Sequence, residues 1–466
     1  MRPLSPLLIS LLVAGCAVGP DYEKPQFPHQ EQWQSREAAS SELTLSSELA
    51  ETDEKAWWQQ FDDPVLNDLI AMAAESNKEI KGALARIEQA RALRGSVSSS
   101  YWPQLDSSAG ASRTKYSSQG NFGSGIRNNY SASLDASWEL DLFGRIRRSV
   151  EATDARIDAE VASRDGLLLS VLAETATAYF ELRSLQAQLA NSERTIELLK
   201  EVEAIAQAQL DAGTISEIDL LRARGERQNL QSQLPNMQAD ITARIHRISV
   251  LTGKPPEYHI ALLAAHAALP EPKDRVPLGL RSGLLERRPD IRMAERELAA
   301  ATADIGVAKA ALFPDFSLTG TIGSTARMFG DLFATGTITH SVGSALNWPI
   351  FAAGKYMSLV DAAEAGKRAA LADYEQAVLL ALEDTENALF RYGQEWKTLT
   401  QLKEVVSSRE QAFEIARLRY EAGEESFLSL IDAERTLNDA RVNLIFSQQR
   451  LLTRLAALYK ALGGRW

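Results

Sequence analysis

Between Tyr130 and Leu142 the chain alternates. Tyr130, Ala132, Leu134, Ala136, Trp138, Leu140 and Leu142 are apolar, and every residue between them is polar. A period of two over this length predicts a β-strand with one apolar and one wetted face. At about 3.3 Å per residue it runs on the order of 40 Å, and tilted by about 40° it crosses the roughly 25 Å band of an outer-membrane barrel wall. The same alternation suits an edge strand of a soluble sandwich, so this stretch alone leaves both readings open.

Strands are also predicted at 105–116, 316–325 and 338–348, where Phe316, Leu318 and Ile322 alternate with Ser317, Thr319 and Thr321. The pattern then changes period. Leu182, Leu185, Leu189, Ile196, Leu199, Val202 and Ile205 recur at spacings of three and four, the sign of a helix. Proline is absent between Gly144 and Pro235, so a helix over 145–211 is predicted, on the order of 100 Å long. A second long helix is predicted over 355–421. Shorter ones are expected over 64–101, 216–252 and 290–313. Gly213 offers a left-handed stop, and Ser216 with Asp219 a capped restart; Gly423 and Ser426 repeat them. Each long helix therefore turns back at a hairpin tip.

These elements form a duplicated unit. At an offset of about 210 residues, Trp138 and Gly144 fall on Trp348 and Gly354, and the stretch from Leu210 to Ala223 falls on that from Tyr420 to Ala433. The expected division is a first repeat over 57–270 and a second over 271–466. An irregular belt rich in Pro, Ala and Leu lies between Gly253 and Arg287.

The beginning of the chain reads differently. Residues 1–15 hold Arg2, an apolar run from Leu7 to Ala14, and then Gly15 before Cys16, the pattern of an export signal. LVAGC resembles a bacterial lipobox, which makes Cys16 the expected lipidation site. Firm anchoring takes more than one acyl chain. Residues 16–56, with Pro20, Pro25 and Pro28, read as an extended tether.

Composition narrows the class. Among 466 residues, 50 basic and 62 acidic side chains give a net charge of −12, which disfavours nucleic acid as a partner. No apolar run is long enough for a membrane-spanning helix. The single cysteine excludes an internal disulfide. His29, His246, His259, His266 and His340 are scattered without metal-ligand spacing, and the Gly-Lys-Tyr at 354–356 lacks the upstream glycine of a phosphate loop. No cofactor and no enzyme chemistry are indicated.

Four strands cannot close a barrel, and an open edge in lipid leaves backbone groups unpaired at a cost of several kcal/mol each. Other copies must complete the wall. Two copies would give eight strands and an interior that side chains fill, whereas three give twelve and room for water. A cyclic homotrimer is the inference. Tyr101, Trp102, Trp138 and Trp348 stand where helices and strands meet, as an interfacial aromatic girdle would.

Several motifs together carry a family resemblance: LVAGC, AVGPDY, WWQQFDDP, SWELDLFGRIRR, LLERRPDIRMAERELAAA, FPDFSLTG, WPIFAAGK, LSLIDAERTL and LYKALGGRW. Over essentially the whole chain the sequence resembles the TolC-like outer-membrane factors, in particular the NodT-type lipoprotein branch that serves resistance-nodulation-division efflux systems. The resemblance implies a mixed all-α plus membrane β-barrel fold, with a trimeric 12-stranded β-barrel continued by an α-helical periplasmic tunnel. It further implies a periplasmic membrane-fusion adaptor, an inner-membrane pump and small-molecule cargo. The family's periplasmic aperture is guarded by a carboxylate ring. The LSLIDA motif puts Asp432 at that ring, with Leu428 one turn away as the apolar constriction.

Two departures stand out. Ser429 replaces a second aspartate found in some members, and Glu425 stands where the family's prototype has an arginine. Arg222 is the counterpart of Asp432 under the internal offset, and a contact between them at equal height is a hypothesis. Two other functions stay open at this point: a duct for type I protein secretion, and a lipid-anchored coiled-coil scaffold.

Overall fold

The structure is a computed structural model, and it describes residues 17–25, 44–46, 56–116, 125–271, 275–277 and 287–464. The signal segment and Cys16 lie outside the described residues, as does 117–124 of the Gly/Ser-rich loop. The chain folds as two compact units. One comprises 1–26, 85–161 and 293–376, and the other comprises 27–84, 162–292 and 377–466.

The first unit contains the sheet. Strands β2 (Gln104–Tyr116), β3 (Gly125–Leu140), β5 (Asp315–Ala326) and β6 (Ile338–Asn347) form one antiparallel sheet in the order β2-β3-β5-β6. Register keeps the two faces distinct. Leu134 pairs with Ile322, Trp138 with Leu318, and Phe316 with Leu346, all on the apolar face. Asp135 pairs with Asp106 and Thr321 on the other. Side chains on that polar face bond one another: Thr321 Oγ1 and Ser133 Oγ donate to Asp135 at 2.8 and 2.7 Å, and Ser108 Oγ lies 2.8 Å from Ser133 Oγ. On the apolar face Leu105 is 69% and Val342 91% exposed, so among the described residues most of that face stays uncovered. The outer edges of β2 and β6 also have no strand partner among the described residues.

Two strand limits differ from expectation. β3 begins earlier, because its hairpin with β2 pairs down to Tyr116 and Gly125. It also ends at Leu140, so Asp141 does not continue the wet face. Its carboxylate instead accepts from the backbone N–H groups of Ile146 and Arg147 at 3.0 and 2.8 Å, satisfying donors left orphaned at the start of the next helix.

The helices are α1 (Pro64–Ser76), α2 (Lys78–Ser98), α3 (Arg145–Asp211), α4 (Glu217–Leu251), α5 (Ile260–Leu263), α6 (Pro289–Ala310), α7 (Lys355–Glu421) and α8 (Phe427–Ala461). Both long helices are 67 residues, with the predicted limits. The single helix expected over 64–101 is broken at Asn77, whose backbone is extended there (ψ 135°). Asn77 Oδ1 accepts from the N–H groups of Glu79 and Ile80 to start α2, while its amide donates to Leu251 O at 2.8 Å. An asparagine that caps one helix and ties down another gave no periodicity signal.

In the second unit the largest apolar cluster gathers Trp57, Trp58, Leu66, Ile70, Tyr179, Phe180, Ile248 and Leu452. Trp57 stacks on Tyr459 at 5.3 Å between ring centroids. The belt is not wholly irregular: β4 (Arg275–Pro277) pairs in parallel with β1 (Thr44–Ser46) from the tether region.

Candidate functional site

The two hairpin tips are built alike. After α3, Gly213 adopts φ +72° and Thr214 N–H donates to Gln209 O at 2.9 Å; after α7, Gly423 adopts φ +74° and Glu424 N–H donates to Arg419 O at 2.8 Å. Each helix thus ends in a left-handed closure that satisfies its last carbonyls. The return helices start with serine caps. Ser216 Oγ donates to Asp219 at 2.9 Å, and Ser426 Oγ accepts from Ser429 N–H at 3.2 Å. Ser429 therefore serves the cap through its backbone N–H.

Between the hairpins lies an apolar core of Val202, Ala206, Leu220, Phe413, Tyr420, Phe427 and Leu430. Tyr420 OH donates to Gln209 at 2.6 Å, and Asn191 Nδ2 donates to Asn438 at 2.7 Å, so polar ties cross from one hairpin to the other. Glu203 accepts from Arg224 and Arg227 at 2.8 and 2.7 Å; these two hydrogen bonds hold its carboxyl below the usual range.

Leu428 and Asp432 lie one turn apart on α8, and both face away from this core. Leu428 is 57% exposed. Asp432 makes an ion pair at 3.2 Å with Arg435 of its own helix. Arg222 likewise pairs within its own helix, 3.7 Å from Asp219. Within one protomer Arg222 and Asp432 are thus each engaged elsewhere. The sequence reading overlooked Ile218, which is 60% exposed. It stands one turn before Arg222, as Leu428 stands before Asp432, and the internal offset that paired the two charges pairs the two apolar residues as well.

Deeper in α8, Glu434 is buried. Burial pushes its carboxyl up to about 7, with Glu226 and Asp439 adding repulsion and Arg441 opposing them.

In the sheet unit, the four residues expected as a girdle share one end of the sheet. Trp138 Nε1 donates to Tyr101 O at 2.9 Å, and Trp348 Nε1 donates to Leu312 O at 3.1 Å. Trp102 is 72% exposed. Residues 17–25, part of the expected extended tether, are a fitted strap. Val18 N–H donates to Phe143 O at 3.2 Å, Asp21 pairs with Arg148 at 2.7 Å, and Tyr22 OH donates to Glu295 at 2.7 Å. Gly19 adopts φ +104°, and a Cβ there would stand 2.5 Å from the Cα of Gly306. Two glycines therefore allow the strap to lie directly on α6.

Comparison with known proteins places this architecture. The family model for outer membrane efflux proteins matches twice, over residues 69–254 and 280–464. The solvent efflux pump outer membrane protein SrpC of Pseudomonas putida is 33% identical, over 99% of this chain and 98% of its own. Nodulation protein T of Rhizobium leguminosarum bv. trifolii is 30% identical, over 97% of this chain and 95% of its own. The solved outer-membrane channel OprN superposes with a TM-score of 0.87 at 36% identity, covering 96% of this chain and 99% of that one. The fold class is that of the trimeric TolC-like channels, mixed all-α plus membrane β-barrel. With the family model matched twice along the chain and relatives aligned end to end, the chain belongs to the outer membrane efflux protein family and forms the outer-membrane exit duct of an efflux pump.

Proposed function

We propose that this duct conducts small toxic compounds passively, and that its resting closure is a ring of hairpin tips formed by three copies. The observation that carries the gate is the repeated pair on the tips. Leu428 with Asp432, and Ile218 with Arg222, each set an exposed apolar residue one turn from a charge. Six tips then alternate acidic and basic positions around the aperture. An apolar ring narrows and dewets the passage, and the charges select or repel ions. In this arrangement Arg222 of one copy exchanges Asp219 for Asp432 of another, which closes the ring by ion pairs between copies.

Cys16 is the proposed anchor. The strap supports this reading, because Val18 is fixed to Phe143 immediately after β3 and beside the aromatic girdle. Acyl chains on Cys16 would then enter the inner leaflet of the outer membrane at the level of Trp138. A periplasmic membrane-fusion adaptor and an inner-membrane pump are the proposed partners. The name of SrpC speaks of solvent, and apolar or amphiphilic small molecules are the cargo class proposed here.

Single-channel recording in planar bilayers tests the gate. Asp432→Ala is expected to raise conductance several-fold, and Arg222→Ala to do the same. Unchanged conductance in both variants counts against the tips as the closure. Labelling with radioactive palmitate tests the anchor, which requires incorporation that Cys16→Ser abolishes.

A further inference from the structure

The loop between β5 and β6 displays large apolar side chains. Met328 is 64%, Phe329 72% and Phe333 66% exposed. Such a cluster at a loop tip is unusual for a surface that meets water alone. Nor is the loop slack. A short 3-10 turn, Phe329–Asp331, forms its base. Phe333 holds φ +76°, a conformation that costs a bulky residue energy and persists only where the surroundings fix it.

The direction in which it folds is informative. Ser324 and Ala326 belong to the apolar row of β5, and both are buried, at 2% and 6% exposure. The Phe329 ring packs edge-on against Tyr130 at 5.8 Å, and Tyr130 is the partner of Ala326 on that same face. The loop therefore leans over the outside of the wall rather than across its mouth. It leans toward β3, away from the free edge of β6 where the next copy pairs.

Several of its polar groups are bonded internally. Phe333 N–H donates to Ser324 Oγ at 3.1 Å, and Ser324 Oγ donates to Thr337 Oγ1 at 2.9 Å. The N–H groups of Asp331, Leu332, Ala334 and Thr337 all donate to carbonyls within the loop. Internal bonding of this kind lowers the cost of seating the loop at the edge of the hydrocarbon. Height agrees as well. From Trp138 to Tyr130 the strand rises roughly 26 Å along its axis, or about 20 Å once tilted, so a loop lying just past Tyr130 completes the roughly 25 Å apolar band.

We propose that the β5–β6 loop is a second membrane contact, with Met328, Phe329 and Phe333 seated at the boundary of headgroups and acyl chains in the outer leaflet. Arg327 and Asp331 mark the polar side of that boundary. The partner is lipid, and the loop pins the distal rim of the wall as the tryptophans pin the near one. The inference rests on the apolar sheet face being the lipid face.

Nitroxide labels on the full-length trimer in proteoliposomes test it. Phe333→Cys and Phe329→Cys are labelled separately, with Val342→Cys as a control for the wall, Gly336→Cys for the aqueous side of the loop, and labelled wild type to subtract any signal from Cys16. Heat-modifiable mobility confirms assembly of each. At 333 and 329 the nitroxide is expected to be several-fold more accessible to oxygen than to an aqueous nickel chelate, as at 342, with the ratio reversed at 336. Lipid exposure at 342 with aqueous exposure at both 329 and 333 overturns the loop inference alone. Aqueous exposure at 342 as well overturns the wall assignment and the inference with it. If one loop variant does not assemble, the other decides.

Discussion

Trp138 Nε1 donates to the carbonyl oxygen of Tyr101 at 2.9 Å, across the junction where helix gives way to strand. Trp348, 210 positions on, makes the same kind of bond to Leu312 O at 3.1 Å. An amphipathic ring at a membrane interface satisfies its one donor on the protein and leaves its apolar body to lipid. The two tryptophans that the internal offset pairs thus make the same kind of bond.

Removing either bond should weaken the assembled barrel modestly. Trp138→Phe keeps an aromatic body and leaves the Tyr101 carbonyl without this donor, at a cost of about 1 kcal/mol. The trimer-to-monomer transition on heating, followed by gel mobility, should fall by a few degrees. Trp348→Phe should behave alike, and no shift in either would mean that the carbonyls find water instead.

Asn77→Ala should be more damaging. It deletes the cap of α2 and leaves Leu251 O, which ends α4, without its buried donor. Loss of a cap together with a buried hydrogen bond costs roughly 2–3 kcal/mol. Circular dichroism should show a lowered helical melting midpoint, with Asn77→Asp recovering the cap but not the bond to Leu251.

Gly19→Ala should release the strap. The added Cβ meets the Gly306 backbone, and φ +104° is strained for any L side chain. Limited proteolysis should cut the region around residues 17–25 in the variant and spare it in the wild type.

Glu434 gives a pH dependence with a definite sign. Folded, it holds its proton up to about pH 7, against an ordinary value of 4.5. Between those values the folded chain binds more protons than the unfolded one, so stability falls as pH rises through the window and stays lower above it. Glu434→Gln should raise the melting midpoint at pH 8, leave it nearly unchanged at pH 4, and flatten the slope between. An unaltered slope would assign the pH dependence to other groups.

Much of this was legible in the chain. The period of two in β3 and the spacing of three and four in α3 follow from backbone geometry that each side chain meets locally, so strand faces and helix limits could be read directly. Gly213 and Gly423 were legible because a left-handed stop selects glycine almost by itself.

What the sequence could not decide depended on residues far apart in the chain. Asn77 breaks a helix because Leu251 awaits its amide, and no local pattern records that partner. Asp141 looked like one more wet position until the next helix claimed both its oxygens. Residues 17–25 read as tether because their contacts, Phe143, Arg148 and Glu295, lie more than a hundred positions away. Ile218 became visible as the partner of Leu428 only once both were seen standing out from the tip core. Local periodicity fixed which elements form; long-range satisfaction of polar groups decided where they stop and what they hold.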